Sequence, residues 1–194
     1  NGKGRPENAN LTGLSYEYIM QQLQDFKNGL RVTSDSRKTN TALMEGFAKQ
    51  MTEEEMKAAA AYFSSIPATP WTKVIEADMV PKTTARGGVF FVNEGNDAGM
   101  EPLGQRIIEM PTKTEDFEIL RNPRGGFIAY APPGSIKKGE TLVNTGDGKV
   151  TPCTVCHGAD LRGLGPVPRL AGLSPLYLAR QLYDMQVSNR KGAW

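Results

Sequence analysis

LTGLSYEYIMQQLQDFKNGLR (residues 11–31) and LAGLSPLYLARQLYDMQVSNR (residues 170–190) are two versions of one stretch. They superimpose without a gap at an offset of 159 residues. Nine of the 21 positions are identical: Leu11/Leu170, Gly13/Gly172, Leu14/Leu173, Ser15/Ser174, Tyr18/Tyr177, Gln22/Gln181, Leu23/Leu182, Asp25/Asp184 and Arg31/Arg190. Two unrelated amphipathic helices would share apolar spacing but not the Gly and Ser that precede it. A duplicated unit therefore organises the chain. In the first copy Ser15 is a candidate N-cap, and Ile19, Leu23, Phe26 and Leu30 recur at helical spacing to about Leu30. The second copy predicts a helix from about Ser174.

Beyond the first copy lies a polar stretch, RVTSDSRKTN, and then TALMEGFAKQ. Thr52 with Glu55 three residues on is a capping-box pattern. Met56, Ala59, Ala60 and Phe63 follow as an apolar stripe, and Pro67 ends the helix. Residues 67–133 are punctuated by prolines and carry two short apolar runs, GGVFFV and GFIAY, that read as strands. They predict a long, mostly irregular or extended linker. The charged residues of its GMEPLGQRIIEMP segment are expected to face solvent. Ser135 then opens a short helix ahead of the second unit.

The bulk numbers exclude little and point to a globular chain. Of 194 residues, 39% are hydrophobic and 23% charged, and the formal net charge is +2, too small to argue for nucleic acid. No apolar run approaches the roughly 18 residues of a membrane span.

Both cysteines and the only histidine fall within TPCTVCHGAD, residues 151–160. Cys153 and Cys156 stand about one helical turn apart, so both thiols can reach the two vinyl groups on one porphyrin edge. His157, directly after, can offer its imidazole to the iron. Thiol, thiol, histidine at this spacing is the attachment pattern for c-type haem. Other readings use the same residues: a thioredoxin-like redox pair, a zinc site that would have to borrow Asp160 as its fourth ligand, or a plain disulfide. A Ser-His-Asp triad would have to take the one histidine out of this motif.

CTVCHG followed by PRLAG resembles class I cytochromes c, in which CxxCH precedes a Pro-x-Leu-x-Gly segment matched here by Pro168, Leu170 and Gly172. In that family the proline carbonyl accepts a hydrogen bond from the proximal histidine. Val167 stands where the family usually has Gly, and the first copy has Ala9 where the proline would be. ALMEGFAKQMTEEEMKAAAAYF is similar to the family segment that carries the distal methionine and the C-terminal helix, which makes Met44 the candidate axial ligand. Met51 and Met56 are expected in the core, and Met20 and Met185 on amphipathic helices.

The resemblance implies a mainly α chain of two class I cytochrome c-like units: residues 1–66 as the back of the first, 67–133 as interdomain linker, and 134–194 as the front of the second. The repeat offset puts the counterpart of His157 before residue 1 and that of Met44 beyond residue 194. One covalent haem c site, with its iron, is thus expected here, and two in a full-length protein. The implied function is single-electron transfer, not enzymatic catalysis, in a bacterial periplasm, with redox proteins such as a dehydrogenase or a terminal oxidase as donors and acceptors. Alternatives are an open-site haem protein (a small-ligand sensor, or peroxidase-like) and a haem-bearing subunit docked on a dehydrogenase.

Overall fold

The structure is a computed structural model and describes residues 2–6, 8–35 and 39–192. Residues 36–38 of the polar stretch lie outside it. Three helices open the chain: α1 (Tyr16–Lys27), α2 (Asn40–Gln50) and α3 (Glu53–Ser64). Helix α1 starts at Ser15, whose Oγ accepts the Tyr18 N–H. It stops three residues short of Leu30 for a local reason. Gly29 takes a φ of +68°, its N–H returns to Phe26 O, and the Leu30 N–H returns to Asp25 O. That is a Schellman closure, which needs a residue tolerant of left-handed backbone at this place. Helix α3 starts with the expected reciprocal capping box: Thr52 Oγ1 accepts the Glu55 N–H, and the Glu55 carboxylate accepts the Thr52 N–H. Helix α3 packs on α1 around Leu14, Ile19 and Ala60, with Leu23 and Phe63 beside them. Met56 is buried as expected, and Met51 is half-buried.

The linker is extended, as read, but its strands are paired and packed. β1 (Thr72–Glu76) runs parallel to β7 (Phe127–Ala131), which is antiparallel to β6 (Ile108–Pro111), giving the order β1-β7-β6. β2 (Met79–Pro81) pairs with β5 (Met100–Pro102). β3 (Thr83–Arg86) pairs with β4 (Val89–Val92) across Gly87 and Gly88, both at positive φ as a two-residue hairpin turn requires. GGVFFV and GFIAY are thus β4 and β7. Two apolar clusters fill this layer: Val80, Leu103, Ile108 and Met110; and Val89, Phe91 and Phe127 against Trp71 and Phe117 of α4 (Thr114–Glu118). The order of the three-stranded sheet was hidden because β1 and β7 are short and pair across a long stretch of sequence.

Glu109, in the middle of β6, is fully buried, against the expectation that the charges of this segment face water. It accepts hydrogen bonds from Thr72 Oγ1 (3.2 Å) and Ser174 Oγ (2.6 Å). Ser174 is the N-cap of α7 (Pro175–Gln186), and the same Oγ accepts the Tyr177 N–H at 3.1 Å. The β layer is therefore fastened to the second unit through a carboxylate that closes a helix N-terminus. Removal from water pushes the Glu109 carboxyl above its ordinary value, opposed by its hydrogen bonds to Ser174, Leu176 and Thr72. The remaining elements are α5 (Ser135–Thr145) and the single turn α6 (Thr154–His157).

Candidate haem-attachment site

Residues 153–157 form one helical turn. Cys153 is the αR residue that opens α6, and its carbonyl accepts the His157 N–H at 2.9 Å. Three positions along an α-helix return to nearly the same face, so the two thiols share one side of the turn. Both are free: Cys153 is half-buried and Cys156 exposed.

The loop after the turn folds back onto it. Gly158 and Gly163 both adopt positive φ. A Cβ at Gly163 would sit 2.5 Å from Val167 O and 2.8 Å from Arg169 N, so only glycine allows the chain to pass there. The Gly163 N–H bonds His157 O, Leu164 and Val167 exchange backbone hydrogen bonds, and Leu170 and Ala171 both donate to Leu161 O. These bonds carry Pro168 back over the histidine and hold Leu170 half-buried beside it in sequence.

His157 Nδ1 lies 2.7 Å from Pro168 O. A carbonyl oxygen only accepts, so the hydrogen sits on Nδ1, and in the neutral ring the lone pair is on Nε2. That tautomer and ring orientation are what a metal-ligating imidazole needs. Two thiols on one side of a turn and an adjacent imidazole with Nε2 available together fit covalent haem c. The zinc alternative finds less support: among the described residues no three His, Cys, Asp or Glu side chains gather as a metal set.

Met44 stands elsewhere, on α2, which packs against α1 in the first unit; its side chain is 38% exposed. The structure thus unites Cys153, Cys156, His157 and Pro168, and leaves Met44 in the other unit.

The repeat identities explain how the units meet. Arg31 and Arg190 form an antiparallel backbone bridge, flanked by Val32 N–H to Asn189 O and Lys191 N–H to Leu30 O. Arg31 donates to Gln22 Oε1 (2.8 Å) and Gln181 Oε1 (2.9 Å). Arg190 donates to Gln181 Oε1 (2.9 Å), Tyr18 OH (2.7 Å) and Gln22 Oε1 (3.2 Å). Burial, and after it the charge of Arg190, lowers the Arg31 guanidinium from its ordinary value; burial raises the Tyr18 hydroxyl. Asp25 and Asp184 are both buried. Asp25 is held by Gln21 and Gln22, and Asp184 by Ser34 Oγ at 2.6 Å. Gly13 and Gly172 share a φ near +70°, at 70° and 74°, and Leu14 and Leu173 are both buried. Most of the matched residues are thus either caps and turns or one surface used twice, as in an isologous dimer joined into one chain; Leu23/Leu182 is an exception, packed in the first copy and exposed in the second. Arg169 also crosses between units, its Nε donating to Thr12 O at 2.8 Å. The interface was legible as identity; that identity meant self-contact was not.

The fold is shared with solved cytochromes c4, and the arrangement around His157 resembles the haem-attachment turn expected of class I cytochromes c. Sequence relatives give the resemblance a narrower form. The chain is similar to cytochrome c4 of Stutzerimonas stutzeri (31% identical over 132 residues, 57% of this chain and 61% of the relative) and to that of Azotobacter vinelandii (29% over 130 residues, again 57% and 61%). It is 42% identical over 65 residues to cytochrome c-552 of Acidithiobacillus ferridurans, covering 34% of this chain and 25% of that one. The matched part therefore spans about three fifths of the cytochromes c4. No family model matches. Among solved structures, Acidithiobacillus ferrooxidans cytochrome c4 superimposes with a TM-score of 0.54 at 20% identity, over 93% of this chain and 71% of that one. Thiosulfate dehydrogenase (TsdBA) from Marichromatium purpuratum gives 0.55 at 21% identity, over 96% of this chain and 27% of that one.

Proposed function

We propose that this chain carries haem c at Cys153 and Cys156 with His157 as proximal ligand, and passes single electrons between protein partners. The observation that carries this reading is the His157–Pro168 hydrogen bond, which gives the imidazole the tautomer and orientation of a ligand. Bound there, the iron would supply a one-electron couple. The chain's own residues do the rest. The α6 turn holds the thiols side by side, the 158–170 loop holds Pro168 O against Nδ1, and the paired arginines with their glutamine and tyrosine partners lock the two units together. The cytochrome c4 relatives support the electron-carrier reading over an enzymatic one.

Met44, lying in the other unit, suits a second haem and not the one at His157. Redox proteins such as a dehydrogenase or a terminal oxidase are the partner class this chemistry implies. Thioether attachment implies a compartment outside the cytoplasm, the bacterial periplasm. No described helix is long and apolar enough to cross a membrane.

The test is an intact mass, with a haem stain on a denaturing gel, of the chain produced together with haem-attachment machinery. A gain of one haem that survives denaturation and disappears in the C153A/C156A variant is expected. A parent chain without added mass, or a variant that keeps it, would overturn the reading.

A further inference from the structure

A cavity of about 800 Å³ opens where the β layer meets the N-terminal segment of the first unit. No residue of 134–194 lines it, so it is separate from the haem-attachment site. Its apolar wall is aromatic. Trp71, Phe127, Phe117 and Phe91 follow one another in edge-to-face or tilted contacts, with successive ring centroids 5.5 to 5.9 Å apart. The Trp71 indole is fixed by its Nε1–H bond to Gly4 O, and a Cβ at Gly126 would lie 3.0 Å from Trp71 O, a tight fit.

Its polar wall is cationic. Of the two acids that line it, Glu118 is paired with Arg86, and Asp116 accepts the Asn122 Nδ2–H. Neither serves Arg5, Lys113 or Arg121, which also line the cavity and have no carboxylate partner among the described residues. Arg121 is held at a φ of +47°, rare for a residue with a Cβ, while the Asn122 N–H bonds Asp116 O behind it. Backbone held in a sparsely populated region at a cavity wall is a feature of ligand sites. Four cations (Arg5, Arg86, Lys113 and Arg121) against two carboxylates (Asp116 and Glu118) leave the lining net positive beside an aromatic wall, which matches a small anion with an apolar body.

We infer that this cavity binds a small organic anion, of the aromatic carboxylate class. The carboxylate would meet Arg5, Lys113 and Arg121, and the ring would lie against the aromatic wall.

Calorimetric titration of the full chain with benzoate tests this, with acetate and inorganic phosphate as comparison probes. Saturable benzoate binding is expected, at least about tenfold tighter than acetate or phosphate and about tenfold weaker in K113A/R121G. Arg121→Gly removes the charge without opposing the backbone, and circular dichroism confirms that the variant folds. No saturable heat up to about 10 mM benzoate would overturn the inference. So would equal binding of acetate or phosphate, which would make the cavity a mere patch of charge, or undiminished binding by the folded variant.

Discussion

Helices α1 and α7 begin under the same serine cap, end in the same backbone closure and meet at one interface, yet their outer faces live in different surroundings. On α1, Ile19 is buried and Leu23 half-buried beneath α2 and α3. On α7, Leu182 is 68% exposed, and Tyr183 and Met185 are open to solvent. The alignment of Met185 with Phe26 argues that Met185 packs, but it is 48% exposed. Local signals thus determine the element, and what covers it is a separate matter settled by neighbouring segments.

The difference should appear first in stability. Ile19→Ala removes a buried side chain from the α1–α3 core and should cost about 3 kcal/mol. Leu182→Ala removes exposed surface and should stay within about 0.5 kcal/mol. Urea midpoints of the two variants make the comparison, and equal losses would mean that the copies are equally covered.

Where the copies touch, the contrast should vanish. Arg31 and Arg190 occupy matching places and share Gln22 and Gln181 as acceptors. Each truncation to alanine should cost about 2 kcal/mol. Because the partners are shared, the double variant should lose less than the sum of the singles. Additive losses in the denaturation cycle would show that the arginines act independently.

A smaller effect concerns only the second copy, because Ser174 bonds Glu109, whereas Ser15 Oγ accepts the Tyr18 N–H and meets no carboxylate among the described residues. Burial raises the Glu109 carboxyl, so the folded state holds that proton more tightly than the unfolded chain does. Its contribution is fully present below the ordinary glutamate value of 4.5 and fades as pH rises through the raised folded value. Parent stability should therefore decline over that window relative to E109Q, which has no proton to lose. Parallel urea midpoints for the two proteins from about pH 4 to 8 would contradict this.

These contrasts show what the sequence could and could not convey. Caps were legible because Ser15, Thr52 with Glu55, and Ser174 act on residues three positions away. The haem motif was legible for the same reason: Cys153, Cys156 and His157 fall within one turn. The Pro168 contact needed the family resemblance, since it depends on a loop folding back through Gly163. Glu109 was misread because its partners, Thr72 and Ser174, lie 37 and 65 residues away. Nothing local separates such a carboxylate from a solvated one.

The finest contrast lies at the helix ends. In α1 the closing residue is Gly29, at a φ of +68°. In α7 the same closure is made by Ser188, at +59°, with the Ser188 N–H bonded to Met185 O and the Asn189 N–H to Asp184 O. The hydrogen bonds match those of the first copy, so the second keeps the motif while placing a Cβ where left-handed backbone disfavours one, at a cost of roughly 1 kcal/mol. Ser188→Gly should therefore stabilise the chain by about 0.5 kcal/mol, the relief of strain being partly offset by the greater freedom glycine gives the unfolded state. Gly29→Ser should destabilise it by a similar amount, and the two changes together should nearly cancel. If Ser188→Gly destabilised instead, the serine side chain would be contributing more than its backbone strain costs, and the two helix ends would be alike only in their hydrogen bonds.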